Sequence, residues 1–361
     1  MNLAITGVSG YFGKKAVLAL EEEPAVARIL GLDVVSPGFS SAKLSFIPMD
    51  IRSPHMAQAL RAAEIDSVLH LAWIFDPIHS YRRMYDVNVN GTLNLLTACQ
   101  QAGVKHIVFL GSTTCYGAHA DNPEWLQEDR PLRGNWGFPY ARHKVLAERL
   151  CDDFERANPH IALTRLRTCI VLGRNTDNFI KALILMRGPR HALVRGHNPD
   201  IQFLHEDDLA TLLRLVLRKR PRGIYNAAPN DAMPIRQVAD IAHNPVFEYP
   251  YWLVRPLFAL LWYLRLVPVP ASYLPFIMYR WTASNARIKR ELGWRPLYST
   301  REAVLSLPGG PGRNWESRKG GTAFYYLMGA TVREAEAISI MGNRGASFPS
   351  NSLTSSWGAD R

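Results

Sequence analysis

Cysteine is scarce in this chain, and the cysteines present are not spaced as a metal site or a disulfide framework requires. The sequence of 361 residues holds four of them, at Cys99, Cys115, Cys151 and Cys169. Their irregular spacing lacks the paired motifs of zinc sites, so no metal site is predicted. We interpret them as reduced thiols, in the core or near a site, of a cytoplasmic protein.

Long hydrophobic runs are also missing. The richest apolar stretch, residues 249–281, is interrupted by Arg255, Pro256 and Arg265. Between those interruptions it is too short to cross a bilayer, which needs about 20 consecutive apolar residues. We therefore predict a buried helix. The less favoured alternative is a peripheral membrane contact through 251–281, because Trp, Tyr and Arg side chains suit the headgroup zone.

Acidic residues are outnumbered, with 31 Asp and Glu against 42 Lys and Arg and a formal net charge of +11. Such a field favours acidic ligands such as nucleotides, and equally RNA or an anionic membrane. We interpret the excess as a basic solvated surface and expect no nucleic-acid partner. The first predicted strand starts almost at Met1, which leaves no room for a signal peptide, so a cytoplasmic location is expected.

A glycine-rich turn is the most informative feature that the chain does contain. It reads Thr6-Gly7-Val8-Ser9-Gly10-Tyr11-Phe12-Gly13, after a short apolar run predicted as a strand and before residues 14–22, predicted as a helix. A strand, such a turn and a helix open a dinucleotide-binding unit. Gly7 would permit the tight turn, and Gly10 would let the backbone approach a pyrophosphate. Gly13 would let the helix pack closely, with its N-terminus facing the phosphates.

Strand-like and helix-like segments alternate through the first half of the chain. Further strands are predicted at 28–33, 44–48, 67–70, 106–110 and 161–166, with helices notably at 90–102 and 140–158. This alternation gives a parallel sheet with right-handed crossovers. The expected fold is α/β: a Rossmann-type doubly wound parallel sheet in residues 1–170, interleaved with a smaller C-terminal substrate lobe in 171–308. The high Gly and Ser content of residues 309–361 predicts a disordered tail, with a short helix at 332–340.

A tyrosine and a lysine four residues apart, Tyr140 and Lys144, would share one face of a helix. A phenol with its ordinary pKa of about 10 is a poor acid-base group at neutral pH, and a nearby ammonium lowers that pKa. Ser112 follows the fifth strand, and the ligand crevice of an open α/β sheet lies beyond the carboxyl ends of its strands. Tyr140 could then exchange a proton with a substrate alcohol that Ser112 hydrogen-bonds.

Together these segments resemble the extended short-chain dehydrogenase/reductases, of the NAD-dependent epimerase/dehydratase family. The resemblance covers about residues 2–305, in the order of the family's motifs. Besides the stretches already described, it rests on Asp33, Asp50-Ile51, His70-Leu71-Ala72, 88–92, Tyr116-Gly117, 203–208, 223–226 and 292–296. Each motif is short, but the ordered set is specific.

The resemblance implies a role for each matched residue. Tyr140 would be the acid-base catalyst, and Lys144 would lower its pKa and hold the nicotinamide ribose. Ser112 would orient the substrate hydroxyl. The implied cofactor is NAD, with Asp33 at the adenosine ribose. The other implied cofactor-binding residues are Gly7, Gly10, Tyr11, Phe12 and Gly13 at the turn, Asp50 and Ile51 at the adenine, Leu71 and Ala72 along the cofactor backbone, and Asn88, which would shape the site.

Two departures from the family pattern narrow the chemistry. Sugar-nucleotide dehydratases of the family carry an Asp-Glu pair directly after the position of Ser112. This chain has Thr113 and Thr114 there, which cannot titrate usefully, so loss of water is disfavoured. Members that handle nucleotide sugars usually carry an Asn after the sixth strand, and residues 166–173 contain none.

Three functions stay open at this point. The leading one is a nucleotide-sugar epimerase, such as a 4-epimerase, in which the basic runs 187–190 and 195–197 either clamp a diphosphate or form a solvated loop. The second is an NAD-dependent dehydrogenase of a sterol-like or other apolar secondary alcohol, favoured by the apolar stretch 251–264. The third is a non-catalytic NAD-sensing or RNA-binding protein. The expected partner is a small-molecule substrate, and a homodimer is left open.

Overall fold

A parallel sheet of seven strands lies at the centre of the computed structural model, which describes residues 1–176, 178–185 and 191–307. The strands of the described chain are β1 (Asn2–Thr6), β2 (Arg28–Asp33), β3 (Leu44–Pro48), β4 (Ser67–His70), β5 (His106–Ser112), β6 (Ala162–Thr168), β7 (Ile170–Leu172), β8 (His191–Val194), β9 (Asp200–Ile201), β10 (Phe203–His205), β11 (Gly223–Ala227), β12 (Met233–Pro234) and β13 (Val246–Tyr249). The central sheet has the order β3-β2-β1-β4-β5-β6-β11, and all of its pairings are parallel. The order reverses between β1 and β4, which is where such sheets hold their ligands.

Helices cover both faces of this sheet. They are α1 (Tyr11–Leu20), α2 (Met56–Ala62), α3 (Tyr81–Tyr85), α4 (Gly91–Ala102), α5 (Pro139–Ala157), α6 (Phe179–Leu185), α7 (Glu206–Lys219), α8 (Ile235–Ile241), α9 (Tyr251–Tyr263), α10 (Pro275–Met278), α11 (Ala286–Leu292) and α12 (Thr300–Leu305). A π-helical turn, Asp86–Asn90, leads into α4, and 3-10 turns lie at Thr113–Cys115 and Ala271–Tyr273. The layered arrangement confirms the predicted α/β fold with a Rossmann-type sheet.

The two faces of the sheet hold separate cores, and β1 shows how the sequence divides them. Leu3 and Ile5 pack with residues of α1, α7 and α11. Ala4, between them, packs with residues of α2, α4 and α5 on the other face. Successive side chains of a strand point to opposite faces, so an unbroken apolar run is what a sheet covered on both sides requires.

Beyond residue 170 the chain contributes to two regions. Short sheets pair β7 with β10, β9 with β12 and β8 with β13. Residues of α7 and α11 return to pack on the central sheet, and β11 pairs with β6. The division into 1–170 and 171–308 stays a prediction. The predicted tail, 309–361, and its helix at 332–340 lie outside the described residues.

The four cysteines are free and buried, as the sequence predicted. Within the described ranges, every helix is too short or too polar to cross a bilayer. The prediction of a buried helix in 249–281 is wrong. Of the residues of α9, only Val254 is fully buried, and Trp252 and Tyr263 are 75% and 80% exposed. The apolar content of this stretch did not distinguish a buried helix from one on the surface, the less favoured alternative that its Trp, Tyr and Arg residues had left open.

Candidate active site

The glycine turn after β1 is built as the sequence predicted, and two of its glycines are sterically required. Gly7 has a φ of +72°, and a Cβ there would lie 2.7 Å from the backbone of Ala72. A Cβ on Gly13 would lie 2.3 Å from the carbonyl oxygen of Val8. Gly10 is less constrained, since its Cβ would lie 3.3 Å from the Gly7 oxygen. The turn therefore holds α1 against the end of β1 and β4.

The start of α1 offers free backbone amides above this turn. No side chain caps the helix, whose first residues are Tyr11 and Phe12. Uncapped amides at the N-terminus of a ten-residue helix suit a phosphate. The Tyr11 hydroxyl points elsewhere: it donates to the carboxylate of Glu206 and lies 3.2 Å from the Thr176 hydroxyl. Burial and Glu206 raise the pKa of Tyr11, so its side chain stays a neutral donor.

Asp33, at the end of β2, faces the same turn. Its carboxylate accepts hydrogen bonds from the Ser9 amide at 3.0 Å and the Val34 amide at 2.8 Å. These bonds fix the carboxylate beside the phosphate-binding turn, where a ribose-binding acid is expected. The glycines, the free helix N-terminus and this carboxylate together fit an adenine dinucleotide.

Asp50 and Ile51, implied as adenine contacts, follow β3. Arg52 binds the Asp50 carboxylate through two hydrogen bonds, of 2.9 and 2.6 Å, and lowers its pKa despite partial burial. Ile51 is buried, and a Cβ on Gly91 would lie 2.5 Å from its Cγ2. Asp50 is thus already paired, a partner that the spacing of motifs did not reveal.

The loop after β4 carries Leu71 and Ala72 past the turn. Their amides lie 3.2 and 3.3 Å from the Thr6 hydroxyl, which accepts from both. Asn88 is fully buried in the π-helical turn and brackets Ile74 with two hydrogen bonds, of 2.8 and 3.1 Å. Asn88 therefore holds the loop after β4 in place, and its role in shaping a cofactor site stays a prediction.

Ser112, Tyr140 and Lys144 meet at the carboxyl end of β5. Ser112 is the last residue of β5, and its hydroxyl acts on Tyr140 by lowering the pKa of the phenol. Lys144, one turn further along α5, donates to the Leu110 carbonyl at 2.8 Å, and its Nζ lies 5.8 Å from the centre of the Tyr140 ring. The structure therefore brings the Tyr140 and Lys144 pair of α5 together with Ser112, which the sequence placed in a separate segment.

Burial dominates the electrostatics of this group. It lowers the pKa of Lys144 to about 7, against the opposing charge of Glu148. It also raises the pKa of Tyr140, and the interaction with the Ser112 side chain only partly offsets this. Near neutral pH the Tyr140 phenol is therefore protonated and lies beside an amine close to its titration midpoint; pKa values shifted in this way are typical of functional sites.

Aromatic side chains surround Tyr140. Its ring makes edge contacts with Phe75 at 5.2 Å and Trp73 at 6.3 Å, and lies 6.0 Å from Phe138. The Lys144 ammonium lies 3.5 Å from the centre of the Trp73 ring, a cation–π contact. The sequence analysis did not place Phe138 at this site, although it stands two residues before Tyr140.

The two threonines after Ser112 lie next to it in a buried 3-10 turn. Thr113 and Thr114 are buried, and the Thr114 hydroxyl donates to that of Ser112 at 3.0 Å. Neither side chain can act as an acid or base at neutral pH, so these positions supply no proton transfer for the loss of water.

The motif 203–208 has a structural role in the described chain. His205 stacks on Tyr298 with ring centres 3.8 Å apart. Asp208 accepts hydrogen bonds from the amides of Leu297 and Tyr298 at 2.8 and 3.1 Å. These contacts bind the segment before α12 to the start of α7.

Of the two basic runs proposed as a diphosphate clamp, 187–190 lies outside the described residues. In the second run, the His197 ring is engaged with the carbonyl of Met278 at 3.0 Å, and Arg195 is exposed. The clamp stays a prediction.

The fold and the glycine turn are those of a dinucleotide-binding α/β protein, with a buried tyrosine and lysine at the carboxyl end of the central strand β5. The chain belongs to the NAD dependent epimerase/dehydratase family, whose model matches residues 3–228. This confirms the resemblance seen in the sequence and the predicted cofactor, NAD.

The individual proteins that this chain resembles have low sequence identity to it. An uncharacterised protein of Mycobacterium tuberculosis is 25% identical over 88% of this chain and 89% of its own length. The UDP-glucose 4-epimerase of Lactobacillus helveticus is 32% identical, but over 50% of this chain and 54% of its own. The structure of the Thermus thermophilus UDP-glucose 4-epimerase with NAD has a TM-score of 0.67, at 22% identity, covering 85% of this chain and 97% of that one. At that identity, the structural likeness shows the fold alone.

Proposed function

We propose that the chain is an enzyme that uses NAD to move a hydride at a carbon bearing a secondary hydroxyl. The observation that carries this proposal is the convergence of Ser112, Tyr140 and Lys144 at the end of β5. A protein that only binds a dinucleotide has no need of a buried phenol next to a buried amine. Membership of an enzyme family supports the same conclusion.

In this mechanism Tyr140 takes the proton of the substrate hydroxyl, and Ser112 hydrogen-bonds the same oxygen. Bound NAD supplies the hydride acceptor and, in an epimerase, the donor that returns the hydride. Burial disfavours the phenolate of Tyr140, so the charge of Lys144 is needed to stabilise it. Asp33 would bind the adenosine ribose, and the amides at the start of α1 would bind the diphosphate.

As the specific reaction we propose epimerisation at a hydroxyl-bearing carbon of a nucleotide sugar, such as a 4-epimerisation. The relatives of known activity that support it are UDP-glucose 4-epimerases, 29–32% identical over about half of this chain. Thr113 and Thr114 fit a reaction in which one proton and one hydride move and no water is lost.

A second candidate is an NAD-dependent dehydrogenase of an apolar secondary alcohol. The ring of aromatic side chains around Tyr140 favours it, because Trp73, Phe75 and Phe138 offer apolar surface and few hydrogen bonds to a sugar. Phe179 and Tyr273 continue the same surface, with ring centres 6.1 Å apart.

One experiment separates the two. The purified protein is denatured to release and identify any bound cofactor, and is then assayed with UDP-glucose and with a panel of apolar secondary alcohols. Interconversion of UDP-glucose and UDP-galactose without net NADH supports the epimerase. NADH formation from an apolar alcohol alone supports the dehydrogenase. No turnover, together with salt-dependent RNA binding, overturns both.

We expect the apoprotein to bind NAD more tightly than NADP. The Asp33 carboxylate, held beside the turn by Ser9 and Val34, would accept bonds from ribose hydroxyls and repel a 2′-phosphate. Calorimetric titration of both dinucleotides into wild type and Asp33→Ser tests this. The variant should lose most of the preference, whereas equal or tighter NADP binding by the wild type would contradict the role of Asp33.

A further inference from the structure

The helix α9 presents apolar side chains on both of its faces. The inner face packs on the protein: Val254 is buried with Val194, Leu274 and Met278, and the Trp262 ring stacks on His79 at 4.1 Å. The outer face has no such cover within the described residues. Large apolar side chains exposed over residues 251–266 are Tyr251, Trp252, Leu253, Leu257, Leu260, Tyr263, Leu264 and Leu266.

A water-exposed helix face normally carries charged and polar residues, and this one does not. Monomeric proteins rarely expose a contiguous apolar patch of this kind unless something binds to it. The most exposed of these side chains, Trp252 and Tyr263, stand near the two ends of the helix. Both are amphipathic rings of the type that concentrates where hydrocarbon meets water.

The charged side chains of the segment that contains α9, residues 249–290, all have one sign. No acidic residue occurs between Glu248 and Glu291, whereas Arg255 and Arg265 lie on or directly after the helix. Arg255 also lines a surface cavity of about 970 Å³ together with Arg149 and Trp136. In the described chain no carboxylate pairs with Arg149, Arg255 or Arg265. This surface therefore combines apolar side chains with uncompensated positive charge.

We propose that α9 docks this protein on an anionic lipid bilayer, lying in the plane of the headgroups with Trp252, Leu257, Leu260 and Tyr263 inserted and the arginines on lipid phosphates. A helix of 13 residues is about 20 Å long, short of the roughly 30 Å of the hydrocarbon core, so it lies on the surface and does not span it. Such helices bind through buried apolar area and attraction to anionic lipids.

Two other partners could in principle cover this face, a second copy of the chain or the segment 308–361, and the charges favour a bilayer over both. A second copy of the chain, in a two-fold arrangement, would bring the same arginine-bearing surface, built from a segment without acidic residues, against itself. The segment 308–361 carries six basic and four acidic side chains, so its net charge has the same sign as the face. An anionic bilayer is the partner of opposite charge.

Flotation of the full chain with lipid vesicles tests the proposal without reference to catalysis. We expect binding to phosphatidylcholine vesicles that contain phosphatidylglycerol, weak binding to phosphatidylcholine alone, and loss of binding in high salt. The double variant Leu257→Glu/Leu260→Glu should bind at least about tenfold more weakly. Arg255→Gln and Arg265→Gln should each reduce binding to anionic vesicles about fivefold.

A matched control is Leu297→Glu, because Leu297 is 79% exposed but lies outside this surface. It should bind vesicles like wild type. Thermal midpoints should stay close to wild type in every variant, since the altered side chains are exposed. Wild type that does not float with anionic vesicles, or a double variant that floats as well as wild type, overturns the proposal.

A variant labelled with a fluorophore on α9 distinguishes a bilayer from the two other partners that could cover this face. The four native cysteines are buried, so Trp252→Cys can be labelled selectively with an environment-sensitive fluorophore. We expect its emission to shift to the blue only on addition of anionic vesicles. A blue-shifted emission without vesicles overturns the proposal: if it depends on protein concentration it assigns the face to a second copy, and if it does not it assigns the face to another part of the chain.

Discussion

Replacing Tyr140 by phenylalanine is expected to lower turnover by about a thousandfold, within the range typical of a lost acid-base group. The ring stays in its contacts with Trp73, Phe75 and Phe138, so the fold and the aromatic surface are preserved. Only the transferable proton and the interaction with the Ser112 side chain are removed. The transition state therefore loses more than the ground state, and the change should appear in kcat while the Kd for NAD stays nearly constant.

Tyr273→Phe is the matched control, because Tyr273 packs against the buried cluster that contains Tyr140. Its loss of a hydroxyl should leave turnover within a few-fold of wild type. Lys144→Ala should damage both turnover and NAD affinity, since the ammonium is proposed to serve Tyr140 and the cofactor. A Tyr140→Phe variant with the activity of wild type would contradict the mechanism.

The central sheet could be predicted from the sequence because its strands are short apolar runs between helical segments. The bounds predicted for β2, β3 and β4 are those of the structure. Strand β11 was noted only as a family motif and not as a strand, because its pairing with β6 joins residues about 60 positions apart. Local patterns contain no information about such a partner.

In the candidate site, too, some features could be predicted from local sequence patterns and others could not. The chain position of Ser112, Tyr140 and Lys144 relative to strands and helices was enough to predict that they meet. The partners of other residues were not predictable, because they come from distant segments. Tyr11 reaches Glu206, and Asp50 is paired with Arg52. The error at α9 has a related cause: composition indicates that a stretch is apolar, but not whether the fold covers it.

A buried ion cluster under the site was also not predicted, and it should have a large effect on stability. Glu148, on α5, has no exposed surface and lies between two buried arginines. Arg167 binds its carboxylate through two hydrogen bonds, of 3.0 and 2.9 Å, and Arg165 approaches it at 3.2 Å. Burial acts to raise the pKa of Glu148, but the two arginines outweigh it and the pKa is lowered.

Glu148→Gln is expected to lower the free energy of unfolding by about 3–5 kcal/mol at neutral pH, the usual cost of leaving a buried charge without its partner. Because the pKa of Glu148 is lowered by folding, its contribution is present above the ordinary pKa of a glutamate and is lost as the pH falls through the lowered value. The difference between wild type and variant in urea unfolding should therefore shrink in acid. A loss that is constant with pH would contradict a charge effect.

The matched control for this variant is Asp152→Asn. Asp152 binds the same Arg165, at 2.6 Å, but its side chain is half exposed, so its loss should cost no more than about 1 kcal/mol.

Glu148 also opposes the effect of burial on the Lys144 pKa. In Glu148→Gln that support is gone, so Lys144 should lose its proton at lower pH and the alkaline limb of the turnover profile should move to lower pH. Asp152→Asn should leave that limb in place. This result would distinguish an effect of Glu148 on the Lys144 pKa from a general loss of stability.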